Sequence, residues 1–301
     1  MSYKILITGN LGFVGVETQK LLEKQGHQVI GYDLMNKFDI RDVGQLEEVI
    51  NKTKPDRILH LAAIARFADA DAHPKLAFQT NVIGTANVVA MALKYHIPLV
   101  FSSTGSAVMP LDGYPVPYNE EIPARGNSVY GCSKAVGEFY VKQCNPYIIL
   151  RYAHLYGKEK RMHGLIGGFV DRIKRGLVPT LYGGKQSNDF TYIKDVARAN
   201  VLALTAPWDK WNQTYNIGTG EELTAEKAGK IICEFTGWKG KIEKKVGRTV
   251  DPGRFVFDVS KAEKMLNFKA EYSFKKGLED MFGPINPKHP HKGKVGYDSA
   301  I

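Results

Sequence analysis

The chain has 301 residues, 44% apolar and 24% charged, the composition of a folded globular protein rather than a disordered or fibrous one. Its net charge of +10 is unevenly placed: residues 1–150 are electrically balanced, and the whole excess falls in 151–301. A protein coating nucleic acid with a uniformly basic surface is therefore disfavoured, and the basic half is either solvated surface or a pocket for an anionic ligand. The length supports one large domain or two smaller ones. No run approaches the roughly 18 apolar residues that span a bilayer. Met1-Ser2-Tyr3-Lys4 leads into Ile5-Leu6-Ile7 without a signal-peptide pattern. Cys132, Cys144 and Cys233 have neither metal-ligand nor redox spacing, and so sparse a set suits a reducing compartment. A soluble, cytoplasmic protein with no metal site and no membrane partner is expected.

Ile5–Thr8 reads as a buried strand, Val14–Gln25 as a helix and Gln28–Tyr32 as a strand. A helix over Leu46–Thr53, a strand over Arg57–Leu61 and a long helix over Leu76–Tyr95 follow. Leu99–Ser102 is the next strand, Val129–Gln143 a helix, and Tyr147–Leu150 a further strand. Fully apolar strands alternating with helices predict an α/β fold, a parallel sheet covered by helices on both faces. Beyond about Tyr156 the pattern loosens, with helices expected near Leu165–Arg175, Ile193–Ala206, Ala225–Thr236 and Lys261–Leu266. The segment 284–301 has no apolar periodicity and reads as an extended or disordered tail.

The first strand runs into Gly9-Asn10-Leu11-Gly12-Phe13-Val14-Gly15, three glycines at three-residue spacing. One permits the tight strand-to-helix turn, one lets a pyrophosphate approach the backbone, and the third lets the helix lie close to the sheet. The helix then directs its N-terminal N–H groups at the phosphates. The second strand ends at Asp33, whose carboxylate suits the ribose hydroxyls of NAD and repels the extra phosphate of NADP. Lys37 and Arg41 would suit NADP, but Asp33 outweighs them. Ala62-Ala63, after the third strand, is small enough for a cofactor to approach, or for plain packing.

Tyr130 and Lys134 are four residues apart on one helix face. A phenol titrates near pH 10, too high for a base at neutral pH, unless a neighbouring ammonium and an oxidised nicotinamide favour the phenolate. Such a base can take a hydroxyl proton while hydride leaves the same carbon. Ser102-Ser103-Thr104 ends a strand at the sheet edge where ligands collect.

Together, the glycine pattern, Asp33, Leu61-Ala62-Ala63, Ser103-Thr104 and the Tyr-x-x-x-Lys pair resemble an extended short-chain dehydrogenase/reductase, and most closely the NAD-dependent nucleotide-sugar epimerases and dehydratases. Asn81 through Asn87 is similar to that family's Asn-Val-x-Gly-Thr-x-Asn helix, Arg151 through Tyr156-Gly157 to its Arg-(x)4-Tyr-Gly segment, and Asp189 through Val196 to its Asp-Phe-x-x-Val-x-Asp-Val motif. Asn216-Ile217-Gly218 and Asp258 through Ala262 match later landmarks, so the resemblance spans about residues 3–283. It implies a Rossmann-type domain over 1–156, to which 189–220 can return, and a smaller α/β lobe over 157–283 that mainly binds substrate.

By the same resemblance Tyr130 is the catalytic base, Lys134 binds the nicotinamide ribose and tunes Tyr130, and Thr104 bridges to the sugar hydroxyl. Gly9, Leu11, Gly12, Phe13, Val14, Gly15 and Asp33 would cradle NAD, with Asp39 and Ile40 beside the adenine. Leu61, Ala62, Ala63, Asn81, Ser102 and Tyr152 complete the implied cofactor set. The substrate would be a nucleotide-diphosphate sugar, held by Thr104, His154, Arg248 and Arg254. Helices 76–95 and 129–143 commonly form a homodimer interface in this family, so a homodimer is implied by analogy.

Family dehydratases carry an Asp-Glu pair directly after the Thr, decarboxylases a Glu in this segment, and 3,5-epimerase/reductases a Cys; here Gly105-Ser106-Ala107 stands there. Cys132 is expected to be a packing residue. A 4-epimerase acting through a transient 4-keto sugar fits best, with a 4-ketoreductase as runner-up; a non-catalytic dinucleotide-binding regulator would tolerate loss of Tyr130 or Lys134. His154 replaces a customary Asn, and Asn188 a customary Arg that contacts the diphosphate. His163 is a surface residue or faces the same cleft.

Overall fold

A computed structural model describes residues 2–109, 114–158, 164–247 and 253–283. Its centre is a sheet of six parallel strands in the order β2-β1-β3-β4-β5-β10. The strands are β1 Lys4–Thr8, β2 Gln28–Tyr32, β3 Arg57–His60, β4 Leu99–Thr104, β5 Tyr147–Tyr152 and β10 Gln213–Ile217. The inner strands β1, β3, β4 and β5 are apolar on both sides over most of their length because both sides are covered. Ile5, Ile7, Val100, Ile148 and Leu150 pack on one face, and Leu6, Ile58, Leu99, Phe101 and Ile149 on the other. The helices α1 Phe13–Lys24 and α8 Ile193–Thr205 cover the first face; α2 Val43–Thr53, α5 Gly84–Lys94 and α6 Val129–Val141 cover the second.

Two short helices, α3 Phe67–Ala72 and α4 Pro74–Phe78, follow β3. From α4 the chain passes through a π-helical turn, Gln79–Ile83, directly into α5. By length and composition Pro74–Lys94 could cross a membrane, yet half of it is buried inside the fold. Gln79, Thr80, Asn81 and Asn87 interrupt it, so no uninterrupted apolar run exists in the sequence.

Two strands extend beyond their apolar residues. β4 continues through Ser103 and Thr104, and β5 through Arg151 and Tyr152, because Ser103 pairs with Arg151 and Thr104 with Tyr152 in the parallel ladder. Reading apolar runs stops at the first polar residue, whereas the ladder continues as long as the polar side chains find partners. The helices α3 and α11 Phe274–Phe282 and the sixth strand β10 do not stand out in the sequence pattern.

The chain leaves the sheet after β5 to build a second layer. Here β6 His154–Tyr156 pairs with β9 Phe190–Tyr192, β7 Thr180–Tyr182 with β12 Glu243–Lys245, and β8 Ser187–Asn188 with β11 Leu223–Thr224. The helices α7 Gly164–Lys174 and α9 Ala225–Thr236 pack together, and α10 Ser260–Leu266 closes on β10. Ile166, Phe169, Leu181, Ile232 and Phe235 belong to the same apolar cluster as Ile5 and Ile7, so this layer and the sheet face share one core. Two buried carboxylates clamp its loops. Asp189 accepts hydrogen bonds from Thr219 N, Thr219 Oγ1 and Gly220 N, and Asp195 from Glu271 N and Tyr272 N.

Candidate active site

The sheet order reverses between β1 and β3, and their C-terminal ends meet at the glycine turn. Gly9 has φ +75° and donates to Tyr32 O at 2.8 Å; a Cβ there would lie 2.8 Å from Ala62 N. A Cβ on Gly15 would lie 2.2 Å from Gly9 O, so only glycine lets α1 approach the turn. Gly12 is the N-cap of α1 and provides no side-chain hydrogen bond, whereas Asp42, Ser128, Thr224 and Ser273 cap α2, α6, α9 and α11. The first-turn N–H groups of α1, at Phe13, Val14 and Gly15, are thus left for an anion. Asp33 closes this end: Oδ1 accepts from Met35 N and Oδ2 from Leu11 N, at 2.9 and 3.1 Å. An open surface hollow is lined by Asp39, Arg41, Asp42, Val43, Gln79 and Ile83. Arg41 forks onto Asp39 and holds its carboxyl below the usual range, and Ile40 is buried next to Gly84.

Leu61, Ala62 and Ala63 are half-buried at the end of β3. A polarised hydrogen-bond chain begins there. Ala62 N–H donates to Thr8 Oγ1, Thr8 to His60 Nδ1, His60 Nε2 to Thr85 Oγ1, and Thr85 to Asn81 O. The tautomer follows from Thr85, which spends its proton on Asn81 O and so accepts from His60. Burial lowers the His60 pKa to about 3, so it stays neutral. The Asn81 side chain is consumed by Ile64 N, Ile64 O and Ser133 Oγ, and Ser133 donates to Tyr130 O. Asn81 therefore holds the 61–64 loop against α6 through protein contacts. Ser102 Oγ is spent on His60 O, and the Tyr152 phenol on Asn200 Oδ1.

Tyr130 and Lys134 both point inward from α6 and are nearly buried. The Tyr130 ring packs with Ala70, Ala77 and Ala107 and meets Phe67 edge-on at 5.5 Å. Lys134 Nζ lies 4.3 Å from the Phe101 ring centre. Among the described residues, neither the Tyr130 hydroxyl nor Lys134 Nζ has a hydrogen-bond partner. Burial pushes the phenol up and the Lys134 amine down to about 7, with Glu138 opposing the latter. The pocket alone thus keeps Tyr130 protonated at neutral pH, and lowering its pKa needs added positive charge. Thr104 is half-buried at the end of β4. Cys132, expected to pack, is instead exposed on the outer side of α6.

After Thr104 there is no room for a side chain. A Cβ on Gly105 would lie 2.2 Å from Phe257 Cζ and 2.6 Å from Phe255 Cζ. These rings are held by a bridge between Tyr118 and Phe257 and pack with Val108, Met109 and Ile122. His154 is exposed on β6 with its ring edge-on to Phe190. Arg254, expected to hold a diphosphate, is exposed and forks onto Glu222 at 2.8 and 2.6 Å. Asn188 is half-buried in β8. Arg248 and His163 lie outside the described residues.

One group in this region escaped the sequence reading. Glu138 and Arg151 form an ion pair, each side chain 2% exposed, and Ser103 donates to the same carboxylate. The signal was present: Glu138 falls four residues after Lys134, on the buried stripe of α6.

Residues 5–218 match the model of the NAD dependent epimerase/dehydratase family. The chain belongs to this family. It is 35% identical to a provisionally named UDP-glucose 4-epimerase of Methanocaldococcus jannaschii, covering 91% of this chain and 96% of that protein. It is 28% identical to a UDP-N-acetyl-alpha-D-glucosaminuronate decarboxylase of Bacillus cytotoxicus, covering 93% and 97%. The structure of UDP-glucose 4-epimerase from Thermotoga maritima, with UDP-glucose, superposes with a TM-score of 0.85 at 29% identity, over 92% of this chain and 97% of that one. The family's chemistry is enzymatic and NAD is the cofactor. The residues of this epimerase/dehydratase family member fit NAD on three counts: a close strand-to-helix turn that only glycine at 9 and 15 permits, an uncapped α1 N-terminus, and a buried Lys134 amine with no hydrogen-bond acceptor among the described residues.

Proposed function

We propose that the protein is a nucleotide-sugar 4-epimerase, acting on a UDP-sugar, and that it works as a cytoplasmic homodimer. The observation that carries the reaction type is the filled space behind Gly105. Dehydration by the family's usual means needs an acid and a base directly after Thr104, where Phe255 and Phe257 occupy the volume, and the Glu that decarboxylases carry in this segment is missing from Gly105-Ser106-Ala107. Among the described residues, what remains is the acid–base group Tyr130, with Lys134 on the same face of α6 and Thr104 at the end of β4.

NAD, when bound, takes up hydride from sugar C4 and returns it. Thr104 holds the C4 hydroxyl, and Tyr130 receives its proton as the carbon is oxidised. Lys134, buried and without an acceptor among the described residues, would donate to the ribose and favour the phenolate through its charge. The apolar wall of Ala70, Ala77 and Ala107 around Tyr130 excludes water that would protonate it. Before the return step the 4-keto sugar turns over, so that hydride comes back to its other face and Tyr130 gives the proton back to the sugar oxygen. The sugar is then inverted at C4, and neither protein nor cofactor is changed.

UDP is favoured among the nucleotides by the relatives' substrates. Exposed Val136, Phe139 and Tyr140 on α6, with Leu76 and Ile83 on the neighbouring helix, support the homodimer. Melting the protein with UDP-, GDP-, dTDP- and CDP-sugars tests the substrate, since a ligand of the folded state raises the transition. Stabilisation by UDP-sugars, with Tyr130→Phe binding NAD but losing turnover, is expected. Full turnover in Tyr130→Phe would overturn the mechanism. NAD that survives gel filtration with the protein fits the epimerase, whereas ready exchange of NAD(P)H would make it a 4-ketoreductase.

A further inference from the structure

The helix α6 carries Tyr130, Lys134 and Glu138 at four-residue spacing, so the three share one face. Tyr130 and Lys134 belong to the site. Glu138 does not reach it, yet it is 1% exposed and fully engaged. Its Oε1 accepts from Ser103 Oγ at 2.6 Å and from Arg151 Nε at 2.9 Å, and its Oε2 accepts from Arg151 Nη2 at 2.8 Å. Arg151 also donates from Nη1 to Ile122 O at 2.9 Å and to Glu120 O at 3.4 Å. Ser103 and Arg151 are partners in the ladder between β4 and β5, and Ser103 directly precedes Thr104. One carboxylate therefore joins α6, the end of β4, β5 and the 120–122 loop.

Burying such a pair is a poor way to gain stability, because the loss of hydration offsets most of the attraction and well-packed apolar residues serve as well. Apolar packing, however, gives little direction. A helix lying on Leu99, Phe101 and Ile149 can slide or roll slightly while losing few contacts. The sequence lets α6 come very close: a Cβ on Gly137 would lie 2.7 Å from Phe101 Cζ. At that separation only directional bonds hold the position along and around the helix axis. The two parallel N–H···O bonds of the Arg151 fork, with the Ser103 bond at an angle to them, do so.

We propose that Glu138, through Arg151 and Ser103, is a positioning residue that fixes the register of α6 on β4 and β5 and thereby places Tyr130 and Lys134 against Thr104. The inference rests on the reading of those three residues as the catalytic site. Its signature is a loss of turnover that far exceeds the loss of cofactor affinity, since the glycine cradle of β1 and α1 is built without this network and only the Lys134 contact to the ribose depends on it.

The test is the double variant Glu138→Leu/Arg151→Met, which removes both charges and leaves neither stranded. It is assayed with the sugar nucleotide that the wild-type enzyme turns over. The melting temperature is expected to stay near wild type, KM to change little and the Kd for NAD to rise by less than about threefold through Lys134, while kcat, measured at saturating NAD, falls at least about tenfold. A folded double variant with wild-type kcat would overturn the proposal. Should the double variant not fold, Ser103→Ala decides, because it keeps the ion pair and removes one anchor. A kcat at saturating NAD that falls by more than the NAD affinity does supports the role, and any other result overturns it. Tyr130→Phe, run in parallel, separates the two levels. If it retains turnover, the reading of the site is wrong; if it is inactive while the double variant is fully active, only the positioning role fails.

Discussion

Gly105→Ala is the substitution that most directly tests why this chain carries one acid–base group. The added Cβ would lie 2.2 Å from Phe257 Cζ, 2.6 Å from Phe255 Cζ and 2.9 Å from Phe257 Cε1. Carbon atoms pack at about 3.5–4.0 Å, so the Phe257 ring or the end of β4 must move by more than about 1 Å. The ring has little freedom to retreat. It is 1% exposed, meets Phe255 edge-on at 5.0 Å, and on its other side would leave only 3.2 Å to a Cβ at Gly218. Overpacking of this kind costs about 1–3 kcal/mol. Because Thr104 is the preceding residue, a shift of about 1 Å there is expected to lower kcat by on the order of a hundredfold. Urea unfolding and steady-state turnover measure the two effects, with Phe257→Leu as the second arm of a double-mutant cycle. The smaller side chain leaves space for the methyl group, so the double variant is expected to be more stable than the sum of the single losses by about 1 kcal/mol or more. Wild-type stability and turnover in Gly105→Ala, or strict additivity in the cycle, would refute the claim that the rings close this position.

Two further substitutions probe the cofactor side. In Gly15→Ala the Cβ would meet backbone atoms, Gly9 O at 2.2 Å and Asn10 Cα at 2.6 Å, which cannot swing aside. A cost of about 1–3 kcal/mol falling on the cradle corresponds to roughly ten- to a hundredfold weaker NAD binding, and an unchanged Kd by titration calorimetry would count against the cradle. Lys134 gives a pH signature. Burial lowers its pKa from 10.5 to about 7, so between these values the unfolded chain binds a proton that the folded chain does not. The stability of the cofactor-free protein is therefore expected to rise with pH across that window, by at most about 1.4 kcal/mol per pH unit from this group. Lys134→Met removes this contribution, and identical pH dependence of the urea midpoints in the two proteins would contradict a buried amine.

The basic excess of residues 151–301 has a mixed destination. Lys230 and Lys244 pair with Glu226, Arg175 with Asp171 and Lys245 with Glu243, all at the surface. Arg254, the described candidate for an anionic substrate, is held by Glu222. A diphosphate that uses Arg254 must displace this carboxylate.

The sequence alone determined what depends on neighbours along the chain. The buried strands and most of the helices are written in apolar periodicity, and the cofactor turn in three glycines that a short-range steric argument explains. Tyr130 and Lys134 follow from four-residue spacing on a helix whose limits are legible. The tertiary structure decided what depends on partners far away in sequence. Ser103 and Thr104 are strand residues because β5 pairs with them, and Arg151 can lie in the sheet because Glu138 neutralises it. Gln213–Ile217 becomes the sixth strand because the edge of β5 is open to it. Gly105, in sequence merely a missing carboxylate, becomes a filled volume because Phe255 and Phe257 arrive from about 150 residues away. Periodicity and spacing encode which face a side chain takes. Which groups then neutralise, cover or collide with it is fixed only when the strands close into one sheet.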